Sequence, residues 1–316
     1  MDGFAEAYAR ALGPQYPQVE FLLAEGAEAA IPLMPQADAL FAFAPSVKDE
    51  MFSAASNLQW IQALTTGVDT LWAMPSLRPD VLVTNARGIH GPQMAEMAFL
   101  YMLALCRDWR RMQANQANRI WERRPQRLLW RRTVAIIGLG VIAEALARRA
   151  KAFDMRVVGV TEIRREVAGF DQVYARAEMA HAVAEADFVV VLAPYSAATH
   201  HMIGAEVLAA MRADACLINL ARGGVLDEEA LLDALNAGGI AGAGLDVFAT
   251  EPLPPASPFW DHPRVILTPH VGGMSDIYEA QVMPILEHNL AAFLNGRPDD
   301  LQNRAQRPAQ RVTDDA

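Results

Sequence analysis

The stretch Thr133-Val134-Ala135-Ile136-Ile137-Gly138-Leu139-Gly140-Val141-Ile142-Ala143 joins an apolar run directly to a glycine-rich turn. The run predicts a buried strand, and the residues from Val141 to about Phe153 predict a helix. In a Gly-x-Gly-x-x-Ala pattern, the first glycine permits a tight turn and the second lets the backbone approach a pyrophosphate. The helix N-terminus would then face the phosphates. The motif alone is weak, because an ordinary strand-to-helix turn can also carry it.

The chain from Arg132 onward alternates apolar runs with helical stretches. The runs cover residues 133–137, 156–160, 188–192, 215–220, 244–247 and 265–267. They are continuous rather than alternating with polar residues, which indicates strands covered on both faces and therefore a parallel sheet. Six such strands with helical crossovers predict an α/β fold, a doubly wound parallel-sheet dinucleotide-binding domain. In this setting the glycine turn favours nucleotide binding.

The first hundred residues predict a second, smaller α/β domain. Its strand candidates are the apolar runs 21–23, 40–44, 60–64 and 81–84. A helix over about 93–107 leads into the nucleotide domain, and a helix over about 276–295 returns the chain to the first domain. We therefore place the substrate domain at 1–103 and 280–316 and the dinucleotide-binding domain at 104–279. The polar tail from Arg297 has little to bury, so we expect it to be loosely ordered.

Composition narrows the class of protein. The chain has 316 residues and a net charge of -10, which argues against general nucleic-acid binding. No apolar run approaches the roughly 20 residues that span a bilayer, and the N-terminus lacks a signal-peptide pattern. Cys106 and Cys216 fall in apolar segments, which is typical of unreactive core residues in a reducing compartment. We expect a cytoplasmic protein with no membrane, metal or nucleic-acid partner.

One basic segment departs from the acidic balance. Residues 107–132 contain nine arginines and three tryptophans, with only Asp108 and Glu122 as acidic residues. Basic residues interleaved with aromatic ones can bind single-stranded nucleic acid. No nucleic-acid motif accompanies them, so we favour an interdomain connection or a subunit-contact arm whose arginines pair with acidic surface.

Arg222, Glu251 and His270 each stand just beyond a predicted strand. A guanidinium can grip a carboxylate, a histidine can transfer a proton, and a neighbouring carboxylate favours the charged imidazole. Each residue alone has a structural interpretation: a salt-bridge partner, a surface carboxylate and a loop histidine. Together they predict the transfer of a hydride to or from the carbon beside a carboxylate.

The chain over about residues 57–295 resembles the D-isomer-specific 2-hydroxyacid dehydrogenase family. The motifs that carry the resemblance are the glycine turn, Ala193-Pro194 with Thr199, Asn219-Leu220-Ala221-Arg222-Gly223, Asp246-Val247-Phe248 with Glu251-Pro252-Leu253, Thr268-Pro269-His270, Thr65-Thr66-Gly67-Val68-Asp69, Val83-Thr84-Asn85 and Ala95-Glu96. Their order and spacing would be hard to reproduce by chance. The resemblance implies a smaller, flavodoxin-like α/β substrate domain beside the nucleotide domain. Family members usually open with a strand, whereas Phe4 to Leu12 predicts a helix here.

The resemblance also implies roles for matching residues. Arg222 would bind the substrate carboxylate and carbonyl, His270 would be the acid/base, and Glu251 its partner. Thr66 and Gly67 would offer backbone donors to the carboxylate. The implied cofactor contacts are Gly138, Gly140, Val141, Ile142, Pro194, Thr199, Leu220, Asp246 at the nicotinamide end, and Gly272.

The expected activity is reduction of a small 2-oxoacid, or oxidation of the 2-hydroxyacid, by a nicotinamide cofactor. Glyoxylate and hydroxypyruvate are the first candidates, since the family often reduces them. Glu251 disfavours a formate enzyme, which would be expected to carry glutamine there, while phosphite oxidation on the same scaffold stays open. A dinucleotide-sensing binding protein, similar to the C-terminal-binding corepressors, is the alternative from another class.

The residue at the adenine ribose decides between NADP and NAD. An acidic residue about 20 residues after the glycine turn normally accepts hydrogen bonds from the ribose hydroxyls. That position falls on Thr161, which would not repel a 2′-phosphate, and Arg164 and Arg165 could bind the phosphate. Glu162 follows directly and could instead reach the ribose. We expect NADP or NAD, with NADP favoured.

The resemblance further implies a homodimer, because family members usually pair through the nucleotide domain and the segment leading into it. That segment holds Trp109, Trp121 and Trp130, which are large apolar groups suited to an interface.

Overall fold

The computed structural model describes residues 4–163 and 165–307. It divides into two compact units, one formed by the residues up to Ile89 with those from Ser275, the other by His90–Met274. The sequence placed the boundaries at 103/104 and 279/280 instead. The difference arises because the helix from Gly91 packs along its whole length within the second unit, from Ala145 at its start to Gly242 near its end.

The strands are short and the two longest helices are apolar. The strands are β1 (Ala39–Ala42), β2 (Trp60–Ala63), β3 (Leu82–Thr84), β4 (Thr133–Ile137), β5 (Arg156–Thr161), β6 (Gln172–Ala175), β7 (Phe188–Val191), β8 (Cys216–Asn219), β9 (Gly242–Leu245) and β10 (Val265–Leu267). The helices are α1 (Phe4–Leu12), α2 (Gly26–Ala30), α3 (Asp49–Ser53), α4 (Asp69–Trp72), α5 (Gly91–Cys106), α6 (Trp109–Ala117), α7 (Val141–Ala152), α8 (Met179–Ala184), α9 (Ala205–Ala210), α10 (Glu228–Asn236) and α11 (Tyr278–Leu294).

The larger unit is a doubly wound sheet, as the sequence predicts. Its strands are all parallel in the order β6-β5-β4-β7-β8-β9-β10. The chain order reverses between β4 and β7, which is where doubly wound sheets bind nucleotides. The prediction of six strands missed β6. This edge strand is only half-buried and carries Gln172 and Tyr174, so it lacks the continuous apolar run of a buried strand.

The smaller unit has a three-stranded parallel sheet in the order β1-β2-β3. The predicted strand at 21–23 was wrong, because Leu22 and Leu23 are exposed and the segment pairs with no described strand. The predicted opening helix is confirmed as α1, which packs against α11.

The chain after Arg297 is more ordered than the sequence predicts, as far as residue 307. Leu301 is buried, and the N–H of Ala305 donates to the carbonyl of Val83 at 2.8 Å. Arg304 also pairs as an isolated antiparallel bridge with Thr84, the last residue of β3. The expectation of a loose tail was wrong here because this segment extends the sheet of the smaller unit. The residues beyond 307 lie outside the described part.

Across residues 4–163 and 165–307, none of the helices combines the length and apolar character that crossing a membrane would require.

A buried amide network ties α11 to the sheet of the smaller unit. Asn289 donates from Nδ2 to Oε1 of Gln62 at 2.8 Å, and its Oδ1 accepts from the N–H of Gln302 at 2.7 Å. The hydroxyl of Thr84 donates to the same Gln62 oxygen at 2.7 Å and accepts from the Trp60 ring N–H at 2.9 Å. The polar groups of this network therefore satisfy one another, and removing Asn289 would leave the Gln302 N–H without its acceptor.

Replacing Asn289 by Leu should lower the free energy of unfolding of the smaller unit by about 3 kcal/mol, because Gln62 loses one of its two donors and the Gln302 N–H loses its acceptor. Urea unfolding followed by tryptophan fluorescence measures the change. Asn295→Leu, at the exposed end of the same helix, is the matched control and should stay within about 0.5 kcal/mol of wild type. Equal effects of the two substitutions would contradict the network's role.

Candidate active site

Three loops that follow neighbouring strands carry the predicted catalytic residues. β8, β9 and β10 lie side by side and run parallel, so the loops after them emerge at the same edge of the sheet. Arg222 follows β8, Glu251 follows β9 and His270 follows β10. The topology therefore gathers residues that are far apart in sequence.

His270 and Glu251 form a hydrogen-bonded pair. Nδ1 of His270 lies 2.7 Å from Oε2 of Glu251, and the N–H of Phe248 donates to Oε1 at 2.9 Å. Burial alone would raise the pKa of Glu251, but the hydrogen bonds from His270 and Phe248 and the charge of Arg222 bring it below its ordinary value. Glu251 is therefore ionised at neutral pH, and such a neighbour stabilises a protonated imidazole.

The Arg222 loop is fixed from two sides. Asn219 donates from Nδ2 to the carbonyl of Arg222 at 3.1 Å. A Cβ at Gly223 would lie 1.9 Å from the carbonyl carbon of Phe248, so only glycine lets the two loops approach this closely. The approach brings the guanidinium of Arg222 near enough to Glu251 for its charge to act there.

The His270 loop is held by a buried carboxylate. His270 has a φ of 54°, a left-handed conformation that surrounding contacts must hold. Asp246, 1% exposed, accepts at one oxygen from the Thr268 hydroxyl and the Val271 N–H, and at the other from the Gly272 N–H at 2.8 Å. Its carbonyl accepts from the N–H of His270 at 2.8 Å. Asp246 thus positions the loop, while cofactor contacts of Asp246 and Gly272 stay predictions.

Tyr101 also supports the loop of His270, a role that the sequence did not predict. Its hydroxyl lies 2.6 Å from the hydroxyl of Thr268, which in turn bonds Asp246. A Cβ at Gly244 would lie 2.6 Å from the Tyr101 ring, so the tyrosine needs a glycine in the strand beneath it. A lone tyrosine in an apolar helix is typical of a core. Only the contact of Tyr101 with Gly244 would have indicated its role, and the order of residues along the chain does not show that contact.

His90 precedes α5 and is close to Arg222. It is 8% exposed, and a Cβ at Gly273 would lie 3.2 Å from its ring. Burial, and after it the charge of Arg222, lower the pKa of His90 to about 4. The imidazole is therefore neutral at neutral pH and adds no second positive charge beside the guanidinium.

The glycine turn fits a dinucleotide pyrophosphate. Gly138 has a φ of 96°, and a Cβ there would lie 2.6 Å from the backbone nitrogen of Ala193, so the position requires glycine. A Cβ at Gly140 would meet nothing within 4 Å. The backbone therefore faces open space at the N-terminus of α7, a 12-residue helix, where N–H groups and the helix dipole favour phosphate.

The other predicted cofactor residues lie around this turn. Val141, exposed, and Ile142, half-buried, begin α7, and the buried Leu220 follows β8. The Thr199 hydroxyl donates to the carbonyl of Pro194 at 2.7 Å and so closes the loop after β7. Contacts of all five residues with the cofactor stay predictions.

The expected ribose position shows an ion pair that the sequence did not predict. Thr161 ends β5, and the carboxylate of the next residue, Glu162, pairs with the guanidinium of Arg176. Arg165 donates to a backbone carbonyl of the glycine turn at 3.1 Å. Arg164, the other predicted phosphate ligand, lies outside the described residues.

Thr66 and Gly67 belong to the smaller unit, in the loop after β2. Asn85 donates from Nδ2 to the carbonyl of Thr66 at 2.9 Å, and the Thr65 hydroxyl donates to the carbonyl of Gly67 at 2.7 Å. These contacts hold the loop's carbonyl groups. Backbone donation from Thr66 and Gly67 to a substrate stays a prediction.

Comparisons with known proteins point to one family. Residues 99–272 match the model of the D-isomer specific 2-hydroxyacid dehydrogenase NAD binding domain. A glyoxylate reductase of Korarchaeum cryptofilum is 34% identical, over 81% of this chain and 79% of that protein. A D-isomer specific 2-hydroxyacid dehydrogenase family protein from Aeromonas salmonicida has a structure with a TM-score of 0.89 and 35% identity, covering 96% of each chain.

A further solved structure includes a cofactor. It is an NADPH-dependent glyoxylate/hydroxypyruvate reductase from Sinorhizobium meliloti in complex with NADP and sulfate, with a TM-score of 0.76 and 30% identity over 85% of each chain. Fold, strand-end residues and relatives together define an NAD(P)-dependent oxidoreductase. The chain belongs to the D-isomer-specific 2-hydroxyacid dehydrogenase family.

The buried His90 predicts a specific pH dependence of stability. Unfolded, it binds a proton near its ordinary pKa of 6.5, whereas the folded protein binds one only near 4. Between these values the unfolded state holds more protons, so the free energy of unfolding should fall as the pH falls, by about 3 kcal/mol in total. Urea unfolding at several pH values measures this slope.

His90→Asn should flatten the slope between pH 6.5 and 4. His181→Asn, at an exposed histidine of α8, is the matched control and should leave the slope as in wild type. An unchanged slope in His90→Asn would show that His90 is not the group responsible.

Proposed function

We propose that the protein reduces a small 2-oxoacid of the glyoxylate and hydroxypyruvate type to its 2-hydroxyacid, with NADPH as the reductant. The observation that carries the proposal is the 2.7 Å pair of His270 with an ionised Glu251, at the sheet edge that also presents Arg222. The names of relatives support the substrate class: one is a glyoxylate reductase and another a glyoxylate/hydroxypyruvate reductase.

Each residue has a defined part in this proposal. When bound, the reduced nicotinamide supplies the hydride to the carbonyl carbon. Because Nδ1 of His270 faces Glu251, the proton for the carbonyl oxygen comes from Nε2. Arg222 binds the substrate carboxylate through charge-assisted hydrogen bonds and stabilises the negative charge that develops on the carbonyl oxygen. The ionised Glu251 holds the ring orientation and stabilises the protonated imidazole.

The proposed use of NADPH rests on charge around the adenine ribose. Thr161 is neutral, and the carboxylate of Glu162 is paired with Arg176. The cation Arg165 lies against the glycine turn. Positive charge near this position favours a 2′-phosphate.

Replacing His270 by Ala should lower kcat for glyoxylate reduction on the order of 10²- to 10⁴-fold, because the carbonyl oxygen loses its proton donor. Steady-state assays of NADPH oxidation measure the change. The Kd for NADPH, from cofactor fluorescence, should change little, which separates loss of chemistry from loss of folding. His181→Ala is the matched control, with activity expected to equal wild type. Near-normal turnover in His270→Ala would overturn the assignment.

The substrate class is tested with a panel. Glyoxylate, hydroxypyruvate and pyruvate are assayed with NADPH and with NADH, and phosphite with NADP⁺ and with NAD⁺. We expect glyoxylate or hydroxypyruvate to show the highest kcat/KM. Turnover of phosphite without turnover of any 2-oxoacid would favour the oxidation of phosphite instead, and cofactor binding with no turnover would favour a dinucleotide-sensing role.

We also propose a homodimer formed through the segment 107–132. This segment exposes several large apolar side chains to solvent. Trp121 is 87% exposed, and Trp109, Ile120 and Trp130 are each about half exposed. Large exposed apolar groups beside arginines are typical of an interface.

Light scattering at micromolar concentration should give twice the 34.5 kDa chain mass. Trp121→Asp should shift the mass toward the single chain, because a charge would be buried at the interface. Trp260→Asp, at another exposed tryptophan, should stay at the wild-type mass. A wild-type mass of one chain would contradict the proposal.

A further inference from the structure

Arg176 links two loops at the sheet edge where the adenine ribose is expected. β5 and β6 are parallel neighbours, with Thr161 opposite Ala175, so the residues that follow them, Glu162 and Arg176, leave the sheet side by side. The Arg176 guanidinium pairs with the Glu162 carboxylate. It also donates at 3.4 Å to the carbonyl of Ala198, in the loop that follows β7.

The carboxylate of Glu162 stands beside the position that decides between the two cofactors. An acidic side chain at this place accepts hydrogen bonds from both ribose hydroxyls and so selects NAD. The same charge repels a 2′-phosphate. Glu162 is 70% exposed and follows Thr161 directly, so a small rotation would bring its carboxylate into that role.

Arg176 is positioned to keep the Glu162 carboxylate from rotating toward the ribose. It is less exposed than the glutamate, 30% against 70%, and its second contact with Ala198 anchors it to another loop. An anchored guanidinium loses less entropy when it forms an ion pair than a free one does. Arg165 donates to a carbonyl of the glycine turn and is a further cation in the loop after β5.

We propose that Arg176 is a specificity-determining residue for the cofactor. It neutralises Glu162 and holds its carboxylate away from the ribose, so that a 2′-phosphate is accepted. The inference rests on the proposed use of NADPH and adds the residue that makes this use compatible with an acidic neighbour. Arg176 acts through Glu162 and is therefore a positioning residue.

The test measures the Kd of NADPH and of NADH by fluorescence, without substrate, in wild type and in four variants. Arg176→Ala should weaken NADPH binding about tenfold and strengthen NADH binding, because the freed carboxylate repels the phosphate and binds the ribose. Arg176→Lys keeps the charge and should retain most of the wild-type preference. Arg212→Ala removes an arginine from another surface ion pair, with Asp214 before β8, and should leave both constants unchanged.

The double variant Arg176→Ala with Glu162→Gln identifies the mechanism. If Arg176 acts by neutralising Glu162, removing both charges should return the Kd of NADPH to within about threefold of wild type. Failure of this rescue would overturn the proposal and indicate that Arg176 binds the phosphate directly. A ratio of the two constants that does not change in Arg176→Ala would overturn it as well.

These measurements are independent of the proposed reaction. Cofactor Kd values need no 2-oxoacid, so an inactive panel of substrates would count against the proposed function and leave the role of Arg176 standing. A wild-type preference for NADH would reject the NADPH assignment, while the change of ratio in Arg176→Ala would still decide whether Arg176 controls the choice.

Discussion

Parallel pairing of the strands in the larger unit is the constraint on which the site depends. Since every strand of this sheet points the same way, each strand end that carries a functional residue opens at one edge. The glycine turn follows β4, Arg222 follows β8 and His270 follows β10. A single antiparallel strand among them would move one loop to the opposite edge.

Buried packing then converts this shared edge into a defined geometry. The carboxylate of Asp246 accepts hydrogen bonds from three donors in the loop of His270, which holds a left-handed histidine that would otherwise relax. Tyr101 extends the support into α5. Gly223 allows the loop of Arg222 to touch the backbone of Phe248. The protein's own contacts therefore position the loops that carry Arg222 and His270.

Neighbouring residues also determine the charges around the site. The charge of Arg222 acts on an ionised carboxylate, Glu251, and on a neutral imidazole, His90. The neutral His90 therefore adds no positive charge beside the guanidinium that we propose binds the substrate carboxylate. At the expected ribose position, the guanidinium of Arg176 pairs with the carboxylate of Glu162 and offsets its negative charge. In both places a buried or anchored neighbour sets the effective charge of a functional group.

The fold class of the larger unit and the main candidate site residues can be predicted from local sequence. Continuous apolar runs indicate parallel strands, and the glycine turn and the residues Arg222, Glu251 and His270 indicate a dinucleotide site and its chemistry, because backbone conformation and side-chain reactivity are local properties. The edge strand β6 escaped prediction because half-burial leaves no periodic signal. Three other features depend on distances between residues that are remote in the chain. They are the support of the His270 loop by Asp246 and Tyr101, the neutral state of His90, and the ion pair of Glu162 with Arg176. Hydrogen bonding and burial act through space, so these features exist only once the strands have paired and the loops have packed.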